Sequence, residues 1–238
     1  MRPWHIEYPE ALAVEATVLD RRPGAVLLDR SPFFPGGGGQ LADRGTLTWS
    51  GGVQTFEGVD PDERGLWHRF AGAGEPYGTV LLQVDAGFRR LMCELHTLAH
   101  VLNALVYQAH GGALLTGAQL SADGTFRVDF DLPGVDSASL RALEAPMNAA
   151  IRQDLAVGAA YMPREEAEAI PGMFRSKSVA PPPSPDGMVR VVEIAGLDRQ
   201  ACGGTHLAST GQARLARILK IDNKGRQNRR IKVGVGAA

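Results

Sequence analysis

His96 and His100 stand four residues apart, a spacing that sets both imidazoles on one face of a helix about one turn apart. A pair so placed can share one metal ion. About a hundred residues later comes Cys202-Gly203-Gly204-Thr205-His206. Its two glycines allow a turn in which the thiol and the imidazole converge on one point. Three imidazoles and a thiolate match the nitrogen and sulfur preference of Zn2+. Spacing alone leaves two kinds of site open: a catalytic centre, and a structural zinc whose four protein ligands close the coordination sphere. Cys93, three residues before His96, reads as a small buried residue rather than a fifth ligand.

These residues need elements to hold them. Leu91, Leu95, Leu98, Leu102 and Leu105 recur at helical spacing and predict a helix of roughly 20 residues, ended by Gly111-Gly112. The histidines lie one position off this leucine stripe, at the edge of the buried face. Residues 114–120 and 126–130 flank Asp123-Gly124 as a hairpin. Asp136 or Ser137 can cap a second helix running to about Leu155. A strand near Ala160, a short helix from Arg164, a strand over 188–194 and a C-terminal pair of strands joined near Asn223-Lys224-Gly225 complete this half. Pro181-Pro182-Pro183 reads as an exposed linker or flap. Before about residue 88 the pattern differs. Short strand candidates at 13–19, 25–28, 46–49 and 80–84 alternate with Gly and Pro punctuation, as in a small barrel or sandwich. The expected class is α+β, with a β-rich domain over 1–88 and a domain of helices on antiparallel sheet over 89–238.

Composition narrows the function classes. A chain of 238 residues can bury a core without staples. Two cysteines exclude a disulfide framework. No apolar run approaches a membrane span, and Arg2, His5, Glu7 and Glu10 leave no room for a secretory signal core. The expectation is a cytoplasmic protein with no membrane partner. The net charge of −1 hides a split: residues 209–238 carry eight Lys/Arg and one Asp, whereas residues 1–208 carry 17 bases and 25 acids. The basic tail is a natural phosphate contact, and Lys224, Arg226, Arg229 and Arg230 are its candidates for RNA binding.

Five stretches, in order, carry a family resemblance. They are Phe33-Phe34-Pro35-Gly36-Gly37-Gly38-Gly39-Gln40 with Asp43-Arg44-Gly45, His96-Thr97-Leu98-Ala99-His100, Pro163-Arg164-Glu165-Glu166-Ala167, the segment from Asp198 to His206, and Asn223 to Ile231. The sequence resembles the freestanding alanyl-tRNA editing proteins, the AlaX type, in their medium-length form. That family is related to the editing domain of alanyl-tRNA synthetase. The chain departs from the usual pattern at Gly36, where the family tends to have an acidic residue.

The resemblance implies a translation-factor-like barrel followed by an α+β editing domain. It implies a hydrolase that acts in trans on tRNA(Ala) mischarged with serine or glycine, cleaving the aminoacyl ester, with Zn2+ and no nucleotide cofactor. His96, His100, Cys202 and His206 would hold the metal and act in catalysis, with Gln200 orienting substrate or water. Gly37, Gly38, Gly39 and Gln40 would wall the pocket. Thr116 falls where the family keeps a threonine that reads the serine hydroxyl. Two rivals remain: editing of seryl-tRNA(Thr), since the threonyl-type editing domain shares the histidine and cysteine pattern, and a non-catalytic RNA-binding module with a structural zinc. The sequence leaves the oligomeric state open, a monomer included.

Overall fold

A computed structural model describes residues 2–72, 74–177 and 186–236. The chain divides into two units, Met1–Gly37 with Leu41–Arg90, and Gly38–Gln40 with Leu91–Ala238. Residues 181–183, expected to be a linker or flap, lie outside the described residues.

In the first unit a short helix, α1 (Trp4–Glu7), precedes six strands: β1 (Ala13–Arg22), β2 (Ala25–Leu28), β3 (Gly45–Trp49), β4 (Gly52–Asp62), β5 (Gly65–Ala71) and β6 (Thr79–Val84). They form a closed barrel in the order β1-β2-β5-β4-β3-β6, every pair antiparallel. Strand β6 shows why. Val80, Leu82 and Val84 point into the core while Thr79, Leu81 and Gln83 face out. Its two edges pair with β1 and β3, so closure leaves no open edge. Phe33, Leu47, Phe56 and Phe70 fill the centre, with Phe33 stacked on Phe56 at 4.1 Å. The barrel agrees with expectation, but β4 and β5 were not foreseen. In β4 the inward row includes Gln54, whose amide donates to the carbonyls of Gly72 and Gly74. That buried polar residue breaks the apolar alternation a sequence reading depends on.

The loop from β2 to β3 is anchored at its base. Buried Asp43 accepts from the Phe34 N–H at 2.6 Å and from Arg89 Nε at 2.9 Å, while Arg89 Nη2 donates to the Pro32 carbonyl at 2.8 Å. Leaving either charge of this buried pair alone would cost roughly 3–5 kcal/mol.

The second unit is built around helix α2 (Ala86–Ala109), whose first turn belongs to the first unit. Met92, Leu95, Leu98, Val101, Leu102 and Val106 are buried along it. It ends where Gly111 and Gly112 take positive φ and the Gly112 N–H returns to the Tyr107 carbonyl. Then follow β7 (Leu115–Leu120), β8 (Thr125–Asp131), α3 (Ser137–Arg141), α4 (Glu144–Arg152), β9 (Val157–Pro163), α5 (Arg164–Ala169), β10 (Met188–Ile194), β11 (Asp198–Ala201), a 3-10 turn at Thr210–Gln212, β12 (Ala216–Lys224) and β13 (Asn228–Val235). They make a four-stranded sheet, β12-β13-β8-β7, and a three-stranded one, β11-β10-β9.

The expected single helix from Asp136 to about Leu155 is in fact two. Asp136 caps α3, accepting from the N–H groups of Ala138 and Ser139. Pro146 explains the break: it lacks the N–H that would bond the Ala142 carbonyl, and its ring crowds that carbonyl. Strand β12 lies at the sheet edge, yet side chains cover its free backbone. Asn148 exchanges two hydrogen bonds with Ala216, both 2.9 Å. Glu144 accepts from the Ile218 N–H, and Arg141 donates to the Ile218 carbonyl.

Candidate metal centre

Helix α2 carries His96, Thr97 and His100, and β11 delivers the chain to Cys202 and His206. One ligand atom from each of His96, His100, Cys202 and His206 falls within 4.8 Å of the other three. Cys202 Sγ is 3.5 Å from His96 Nε2 and 3.4 Å from His206 Nε2. His100 and Cys202 are buried, and His96 and His206 are half-buried. The expected four residues therefore meet, and three nitrogens with one sulfur suit Zn2+.

The loop that brings them together is held from several sides. Arg190 Nη1 donates to the carbonyls of Cys202 and Gly204 at 3.0 and 2.8 Å. The Gly204 N–H lies 3.4 Å from Cys202 Sγ, where it can donate to a thiolate. The Leu207 N–H donates to Thr97 Oγ1. Gly204 has no room for a side chain: a Cβ there would lie 2.2 Å from His96 Cε1.

A hydrogen-bonded chain backs His100. Its Nδ1 faces Asp198 Oδ2 at 3.1 Å, Gln200 Nε2 donates to that same oxygen at 2.6 Å, and Asn103 Nδ2 donates to Gln200 Oε1 at 3.2 Å. Arg175 Nη1 approaches Asp198 Oδ1 at 2.7 Å as a charge contact rather than an aligned hydrogen bond, and its guanidinium lies over the Tyr107 ring. Gln200 thus has both ends of its amide engaged. Strand β11, which places Asp198 and Gln200, was not anticipated; its four residues are too few to show a period.

Electrostatics follow from this crowding. Burial opposes a charge on Cys202, yet His96, His100 and His206 hold its thiol well below its ordinary range. Burial pushes His100 down, but the Cys202 sulfur and Asp198 raise it to about 9. Burial and the neighbouring His96 hold His206 well below the usual histidine value. Burial works to raise Asp198, but His100 and Arg175 keep it below the ordinary carboxylate value. One sulfur and three imidazole nitrogens facing one point form a donor set that a soft or borderline cation would fit.

The other expected residues are placed as follows. Gly37 belongs to the first unit, whereas Gly38–Gln40 group with the second. Gly39 accepts from the Leu120 N–H and presses against Ala118, leaving no space for a Cβ. Gln40 is buried between His96 and Thr205. Thr116, half-buried at a bulge in β7, donates to Asn228 Oδ1 at 3.4 Å. Lys224 and Arg226 are exposed around the tip of the β12–β13 hairpin. Arg229 is buried and donates to the Val135 carbonyl, and Arg230 makes a paired contact with Asp129. Cys93 is buried with its Sγ 3.2 Å from Thr205 Oγ1.

The chain thus pairs a closed-barrel unit with an α+β unit that carries a cluster of three histidines and one cysteine. Residues 189–232 match the family described as the threonyl and alanyl tRNA synthetase second additional domain. The alanyl-tRNA editing protein AlaX-M of Saccharolobus solfataricus is 34% identical over 87% of this chain and 86% of its own length. The chain belongs to the alanyl-tRNA editing protein family. It is also similar to the alanine–tRNA ligases of Salinispora tropica (32% identical over 96% of this chain) and Kineococcus radiotolerans (36% over 89%). It spans only about a quarter of those ligases.

Proposed function

We propose that this chain is a trans-editing hydrolase that deacylates tRNA(Ala) mischarged with serine or glycine. The observation that carries the reading is the convergence of His96, His100, Cys202 and His206 in a chain of this family. Those four residues would hold Zn2+, which when bound supplies a Lewis acid for the ester carbonyl or for water, or an anchor for the substrate's amino group.

The chain's own residues do the rest. Asp198 keeps the His100 proton on Nδ1 and so leaves Nε2 for the metal. Gln200 and Asn103 orient that carboxylate. Gly38 has open space beside its Cα, so backbone N–H groups of the glycine run can approach a small aminoacyl group. Thr116, steadied by Asn228, is the hydroxyl proposed to read serine. Lys224 and Arg226 supply the tRNA phosphate contact, while Arg229 and Arg230 serve the sheet that presents them.

The deciding assay incubates the protein with Ser-tRNA(Ala), Gly-tRNA(Ala) and Ser-tRNA(Thr), with and without a chelator. Chelator-sensitive release from the two tRNA(Ala) substrates is expected. Release from Ser-tRNA(Thr) alone would reassign the substrate. No release from any of them would point to a binding module with a structural metal.

A further inference from the structure

Each of the three cluster histidines has its Nδ1 occupied by a different group: Asp198 at His100, Thr97 at His206 (3.3 Å), and Gln40 Oε1 at His96 (2.8 Å). The third partner comes from the end of the glycine run, 56 residues away in sequence from the imidazole it meets. Its amide orientation is settled by its neighbours. The Thr205 N–H can donate only to an oxygen, and it points at Gln40 Oε1 from 3.1 Å. Gln40 Nε2 then donates to Thr205 Oγ1 at 2.7 Å. A carbonyl oxygen has two lone pairs, and both are taken here, by His96 and by Thr205. Gln40 is 3% exposed. A Cβ on Gly204 would meet Gln40 Oε1 at 2.8 Å as well as the His96 ring, so this glycine is what lets the two side chains close on each other.

From these contacts we infer that Gln40 is a positioning residue of the metal centre rather than a substrate contact. Its carbonyl holds His96 as the Nδ1–H tautomer, with Nε2 turned toward Cys202. The inference rests on the metal-centre reading above. It also explains the close seat of Gly39 on β7, which fixes the backbone from which the Gln40 amide reaches the far side of one ligand. An outer partner of this kind changes metal affinity by roughly 10- to 100-fold when removed.

The test uses the full chain and two substitutions. Gln40→Met keeps the volume and removes the acceptor, and Gln40→Glu keeps an acceptor for His96. Zinc affinity is read by competition with a chromogenic chelator. The His96 tautomer is read in metal-free protein by 15N NMR of the imidazole nitrogens. Gln40→Met is expected to weaken zinc binding about 10- to 100-fold and to mix the His96 tautomers. Gln40→Glu is expected to stay within a few-fold of wild type in zinc affinity and to keep the single tautomer. Wild-type zinc affinity and an unchanged tautomer in Gln40→Met, with only a raised KM, would overturn the inference and return Gln40 to the substrate. Wild-type protein that takes up no zinc would overturn the metal-centre reading itself, and the tautomer measurement then decides the Gln40–His96 contact separately.

Discussion

Gly203 and Gly204 look interchangeable in sequence, but their surroundings differ. A Cβ on Gly203 meets nothing within 4 Å, whereas one on Gly204 would strike the His96 ring. Gly204→Ala is therefore expected to lower metal occupancy and deacylation at least tenfold, with Gly203→Ala close to wild type; metal analysis of the two purified variants compares them directly. Thr116 belongs to the same scale. Replacing it by Val removes a hydroxyl and little volume, so hydrolysis of Ser-tRNA(Ala) is expected to fall by ten-fold or more relative to Gly-tRNA(Ala). Equal losses on the two substrates would show that Thr116 only supports β7. The paired histidines were legible because helical spacing is local. Thr97 and Asn103 were passed over because a threonine or asparagine within a helix carries no signal of what it will face.

At the scale of elements, β12 is a sheet edge whose hydrogen-bonding groups are met by side chains of α3 and α4. Asn148→Leu opens two backbone groups of Ala216 at once. A loss of about 1–3 kcal/mol is expected, together with concentration-dependent association through the bared edge; thermal unfolding and sedimentation velocity measure each. The barrel offers a pH test. Burial lowers His68 in β5 to about 4, and the side chain is only 3% exposed. In the unfolded chain it titrates near its ordinary 6.5, so between those values the unfolded state binds the extra proton. Stability from this residue is full above pH 6.5 and falls as pH drops toward 4, by about 3 kcal/mol in all. His68→Leu should remove that share of the acid sensitivity, as read from urea unfolding at about pH 7 and about pH 4.5. Strands such as β6 and β2 could be read from the alternation of their burial or from an unbroken apolar run. Strand β4 could not, because Gln54 satisfies its amide inside the barrel.

For the whole molecule the near-zero net charge says little, and even the basic tail is less free than its composition suggests. Arg214 pairs with Glu94, Lys220 with Asp222 and Arg230 with Asp129, and Arg229 is buried. Among the described residues Arg217, Lys224, Arg226 and Lys232 stay exposed, and of these Lys224 and Arg226 flank the hairpin tip, where a polyanion can reach both. The double variant Lys224→Glu with Arg226→Glu should weaken tRNA binding and reduce the slope of log affinity against log salt by roughly 2. Zinc content should not change. An unaltered salt slope in filter binding would move the RNA contact elsewhere. Charge reversal at Arg229 would instead read out stability, since its guanidinium bonds the Val135 carbonyl.

By itself the sequence determined the local facts: a helix with two histidines on one face, a turn able to join a cysteine to a histidine, a barrel-like first half and a basic end. Each follows from side-chain period or turn chemistry, which act over a few residues. Only the tertiary structure decided what stands behind the clustered histidines. Gln40 lies 56 residues from His96, Asp198 lies 98 from His100 and Thr97 lies 109 from His206. No local pattern encodes such pairs. They arise because burying the faces of α2 and β11 brings polar groups together where water is scarce, and each must then find its partner within the fold.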